Sequence, residues 1–80
     1  SVPAASVLRE PLAPDFDGTT VTVPTVTGVV YKDGQGNTLT TASPVALDPG
    51  EQLHVVATPE AGSYFENNAE DEWDFVGEEA

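Results

Sequence analysis

Chemistry in this chain has to come from oxygen atoms and from a single imidazole. There is no cysteine, which removes thiolate nucleophiles, disulfides and thiolate metal sites. His54 is the one histidine, and it lies inside the alternating segment Gln52-Leu53-His54-Val55-Val56-Ala57-Thr58, on the face opposite Leu53 and Val55. Nucleophilic catalysis would need a serine activated by His54 and an acid, yet no serine stands in a strained turn of the G-x-S-x-G kind. His54 therefore reads as a strand residue facing solvent. The 14 Asp and Glu residues make chance carboxylate pairs certain, so pairs suited to glycoside hydrolysis carry no information by themselves. Calcium is the more serious alternative, because Asp33-Gly34-Gln35-Gly36-Asn37 and Glu70-Asp71-Glu72 offer hard oxygen ligands. An EF-hand loop opening at Asp33 would need an acid where Pro44 stands, so the first segment is read as a hairpin turn and the second as charge protecting a strand edge. No catalytic, metal or cofactor site is assigned.

Charge narrows the partners. The acids face only two basic side chains, Arg9 and Lys32, giving a formal net charge of −12 over 80 residues. Phosphate backbones and anionic lipid surfaces need clustered Lys and Arg, so nucleic acid and membrane are excluded as direct partners. Eight of the acids fall between Glu60 and Ala80, which reads as a solvated face. An apolar share of 39% with 11 valines is enough for a folded core. No apolar run reaches the roughly 20 residues needed to span a bilayer, and no basic start leads into a hydrophobic stretch. A cleaved leader or a removed initiator methionine would both fit a first residue Ser1.

The elements that must position these groups are strands. Residues 1 to 18 have no periodic pattern and carry Pro3, Pro11 and Pro14, which fix φ and remove backbone donors. This segment reads as an extended arm, either folded back as an edge strand or docked on a neighbouring subunit. Its Val7, Leu8, Leu12 and Phe16, with Arg9, are the residues expected to bind a partner. From Thr19 the chain alternates Val and Thr through Val21 and Val23, and Pro24 ends that strand. Val26 to Tyr31 and Thr38 to Thr41 form a hairpin over the glycines of Lys32 to Asn37, pairing Leu39 toward Tyr31. Val45 to Leu47, Gln52 to Thr58, Ser63 to Phe65 and Asp71 to Val76 complete the set. The Asp48-Pro49-Gly50-Glu51 turn is signalled by proline presetting φ and glycine accepting the next position. About six or seven short strands with no helical period predict an all-β fold, a small antiparallel sandwich over residues 19–80.

A longer pattern is carried by Val23-Pro24-Thr25-Val26-Thr27-Gly28-Val29-Val30-Tyr31, by Ala57-Thr58-Pro59-Glu60-Ala61-Gly62-Ser63-Tyr64-Phe65, and by Glu72-Trp73-Asp74-Phe75. It resembles a small Ig-like β-sandwich module found in virion proteins of tailed phages that infect actinobacteria, and in surface proteins of their hosts. The resemblance covers about Val21 to Val76 and bears on fold, which does not fix function. Physically, Trp73 and Phe75 are expected to pack with Tyr64, Phe65, Leu53, Val55 and Ala57, with Val21 and Val23 alongside. Tyr31 is expected to place its ring in this core and its hydroxyl at the rim.

One module with an arm in front resembles a head decoration protein, which implies attachment to the major capsid protein, and to neighbouring copies, on the outer capsid surface. The acidic charge suits that exterior position, since packaged DNA would repel it. The rival settings are an Ig-like spacer or adhesion domain of a tail or cell-surface protein, and a carbohydrate-binding module with Trp73 or Tyr64 as an exposed stacking platform. An enzyme is the last reading. Deleting residues 1 to 18 is expected to leave a folded sandwich that no longer binds capsids.

Overall fold

The computed structural model describes residues 7–78; Val2 and Pro3 of the arm, and Glu79 and Ala80, lie outside them. Among the described residues nine short strands follow one another with no helix between them: β1 (Val7–Leu8), β2 (Asp15–Phe16), β3 (Thr20–Thr22), β4 (Val29–Asp33), β5 (Thr38–Leu39), β6 (Val45–Ala46), β7 (Gln52–Pro59), β8 (Ser63–Tyr64) and β9 (Glu72–Val76). The architecture is a small β-sandwich. One sheet has the order β5-β4-β7-β9 and the other β2-β3-β6, both antiparallel, while β1 and β8 make a separate parallel pair.

Alternation decides which face each strand buries. In β4, Val29 and Tyr31 point inward while Val30 and Lys32 point out; in β7, Val55 and Ala57 are buried and His54 and Val56 lie on the other face. The hairpin pairs Tyr31 with Leu39, and β7 pairs Tyr31 with Ala57 and Phe75 with Leu53. The second sheet sets Phe16 opposite Val21, and Val21 opposite Val45. Val21, Val23, Val29, Tyr31, Leu47, Val55 and Ala57 are the buried core, ringed by half-buried Leu53, Phe65, Trp73 and Phe75 among others. Rings from the two sheets meet where Phe16 and Phe75 stand 5.2 Å apart.

Carboxylates organise the turns. Asp33 Oδ1 accepts from the backbone N–H of Gln35 and of Asn37, each at 2.9 Å, and its Oδ2 accepts from Asn37 Nδ2 at 3.0 Å. Asp17 does the same between β2 and β3, accepting from Thr20 N at 2.8 Å and Thr19 N at 3.0 Å. These are Asx-type turns, and Gly18 and Gly36 beside them take φ of +106° and +89°.

Three expectations need correction. Tyr64 is not in the core: β8 leaves the main sheets to pair with β1, and the ring is exposed. Trp73 reaches the inner face but from an edge strand, so it is only half-buried, its ring 6.0 Å from that of Tyr31 and its indole N–H donating to Glu70 Oε1 at 2.8 Å. The sandwich does not begin at residue 19: of the two readings of the arm, residues 7–18 follow the folded-back one. They lie along the sandwich, contributing β1 and β2 and burying Pro11 and Pro14. Two-residue strands flanked by prolines leave no periodic trace, which is why the sequence showed only an arm.

Candidate functional site

The arm is fixed by its backbone. Val7 N donates to Gly62 O at 2.9 Å and Arg9 N to Tyr64 O at 2.8 Å, the parallel rungs that join β1 to β8. Farther on, the Tyr31 hydroxyl donates to Leu12 O at 2.6 Å and accepts from Leu12 N at 3.0 Å, so one phenol satisfies both polar groups of that residue. Burial of this ring in the sandwich pushes the Tyr31 phenol above its ordinary value, the Leu12 contact opposing in part. The hydroxyl does sit at the rim of the core.

With the backbone bearing much of the attachment, some of the arm's apolar side chains remain exposed. Val7 is 45% exposed, Leu8 47%, Leu12 52%, and Tyr64, opposite Leu8 on the neighbouring strand, 40%. Leu8 and Tyr64, paired across the β1–β8 ladder, share one face of it, while Val7 alternates to the other and Leu12 follows farther along the arm beside Tyr31. The other two expected contact residues turn inward. Phe16 packs on Phe75, and Arg9 is half-buried, lying against Gly28 with its Nε 3.4 Å from Ser63 Oγ. Gly28 leaves room for that guanidinium, since a side chain there would overlap Arg9. At Leu8 runs a groove of about 430 Å³ between residues 8–11 and residues 66–70, with Glu10, Glu66 and Glu70 in its walls.

His54 is the second place where chemistry-bearing groups meet. Its Nδ1 lies 2.7 Å from Asp74 Oδ1 and its Nε2 3.0 Å from Glu72 Oε1, so carboxylates occupy both ring nitrogens and neither is open to a nucleophile. The hydrogen bond to Asp74, then that to Glu72 and the charge of both, hold the imidazole above its ordinary value, against some desolvation. Sequence alternation places all three outward, but the register that sets His54 opposite Asp74 is not written in either strand. Asp33, considered as a calcium ligand, has both carboxylate oxygens bonded within its own turn.

Comparison with protein-family models, curated proteins and solved structures finds no match to this chain. A functional reading must therefore rest on these residues. The sites differ in kind: the His54 cluster is polar, whereas exposed Val7, Leu8, Leu12 and Tyr64 are apolar groups on a fixed backbone, with acids around the groove at Leu8. The second arrangement suits recognition of another protein surface, with apolar contact at its centre and charge at its rim.

Proposed function

We propose that this chain is a structural virion protein that decorates the outer surface of an actinobacterial phage capsid and contacts the major capsid protein through residues 7–12. The observation that carries the binding role is that Val7, Leu8 and Leu12 stay exposed on a backbone fixed by hydrogen bonds. The capsid setting rests on the resemblance of the Val23–Tyr31, Ala57–Phe65 and Glu72–Phe75 segments to phage virion modules. In this reading the arm is a rigid presenting edge, and Val7, Leu8 and Leu12 enter hollows on the lattice. Each side chain is already about half covered, so completing its burial contributes roughly 1 kcal/mol. Affinity then comes from many equivalent sites on one particle and from contacts between adjacent copies. The net charge of −12 keeps the decorated surface soluble and repels DNA.

Binding to purified capsids tests this. The parent chain should co-sediment with capsids from an actinobacterial siphophage, and Leu8→Asp with Leu12→Asp should reduce the bound fraction at least tenfold while leaving the melting temperature near that of the parent. A parent chain that stays in the supernatant with such capsids overturns the proposal. The Ig-like spacer or adhesion domain places the same exposed side chains against a neighbouring domain or a cell surface. For a carbohydrate module, Tyr64 is the more exposed stacking ring, Trp73 being half-buried and bonded to Glu70.

A further inference from the structure

The outer face of the four-stranded sheet carries a charge arrangement unrelated to the arm. Glu72 and Asp74 alternate along β9, which among the described residues has β7 as its one ladder partner, and His54 on β7 stands directly opposite Asp74. Both of its ring nitrogens are within hydrogen-bond distance of a carboxylate oxygen, at 2.7 and 3.0 Å. A carboxylate can only accept, so both bonds exist together only when each nitrogen bears a proton, that is, as imidazolium. A neutral ring would turn a lone pair toward one of the two carboxylates. We propose that protonated His54 is a staple between β7 and the edge strand β9, and that its deprotonation loosens β9 from the sheet.

The surroundings make the proton decisive. Across β7, β4 contributes Lys32, opposite Val56, and the uncharged Gly34 beside His54, while the Asp33 carboxylate is held in its own turn. Gln52 and Val76 complete the shallow hollow around the ring. On β9 itself the only charges at the ring are Glu72 and Asp74. Removal of the proton leaves these two acids facing a group that pairs with one of them at most.

The direction of the effect follows from linkage. Asp74 and Glu72 raise the folded-state value above the ordinary 6.5. The added stability is therefore complete below that ordinary value and is lost as pH rises through the folded-state one. In the range pH 5.5 to 9, histidine is the side-chain type whose ordinary value falls inside the window, His54 is the one histidine, and the α-amino group is common to every variant compared.

The experiment follows the His54 ring by NMR in the full chain, with urea midpoints from pH 5.5 to 9. His54 should titrate above 6.5, Asp74→Asn should lower that midpoint, and the parent's urea midpoint should fall across the range while that of His54→Gln stays flat. Amides of residues 72–76 should lose exchange protection relative to those of β4 as pH rises. A ring titrating at or below 6.5, or identical pH profiles for parent and His54→Gln, overturns the proposal. Should His54→Gln fail to fold, the ring titration in the parent and in Asp74→Asn decides alone.

Discussion

Tyr31 packs its ring beside Trp73 within the sandwich and bonds its hydroxyl to both backbone polar groups of Leu12, 19 positions earlier in the chain. Removing only the oxygen isolates the second role. Tyr31→Phe should cost about 1 kcal/mol, the net contribution of a typical intramolecular hydrogen bond. It should be read as a lower urea midpoint with faster exchange of the Leu12 amide; an unchanged midpoint and amide would show that the arm is held elsewhere. Val55, with 0% of its surface exposed, is the other sensitive position, and Val55→Ala should cost about 2 kcal/mol by lost transfer energy and cavity. Acid acts on Asp17 and Asp33. Backbone N–H groups of Thr20 and Thr19 depress the first, and the Asn37 side chain, then its backbone, depress the second. A depressed carboxylate adds stability that is present above its unfolded value, about 3.9, and lost as pH falls through the lower folded one. Asp33→Asn should thus flatten part of the acid limb of a pH–stability curve, and an unaltered limb would show that the turn does not depend on that charge.

Strands that alternate were legible in the sequence, and strands that do not were hidden. Val–Thr alternation and the Leu53-x-Val55-x-Ala57 pattern located β3 and β7, and Asp48-Pro49-Gly50-Glu51 gave its turn, with Glu51 N bonded to Asp48 O at 2.9 Å. The strand expected from Val26 starts only at Val29, because Thr27-Gly28 turns the chain first, with Gly28 at φ +82°. β1 and β2 were hidden because their pairing depends on partners 56 and about six residues away, not on their own pattern. The consequence is practical. Residues 1–18 include Phe16 of the inter-sheet contact and two buried prolines, so the deletion expected from sequence to spare the fold should instead lower the melting temperature sharply or prevent folding. A truncated chain melting like the parent would return the segment to the status of a free arm. The opposite end is equally constrained. Gly77 bonds to Gly50 and Glu51, and a Cβ on it would overlap the Asp48 carbonyl oxygen, so Gly77→Ala should destabilise by about 1 to 3 kcal/mol.

At the scale of the whole molecule the acids repel one another with few cations to compensate. Screening shortens their reach from about 30 Å at 0.01 M salt to about 3 Å at 1 M. Sodium chloride should therefore raise the melting temperature between those limits, and a fall would mean that specific attractions outweigh the general repulsion. The charges also mark the exposed rim of the larger sheet, where Glu72 and Asp74 on β9 oppose pairing with another chain. The arm has a different consequence. The Tyr31 hydroxyl bonds to main-chain atoms of Leu12, and β1 is likewise joined through main-chain groups, so the fold does not specify which side chains stand at positions 7, 8 and 12. Those three positions are open to mutational drift: a library randomised there should yield mostly folded proteins whose binding preferences diverge, allowing one scaffold to be retargeted without being rebuilt.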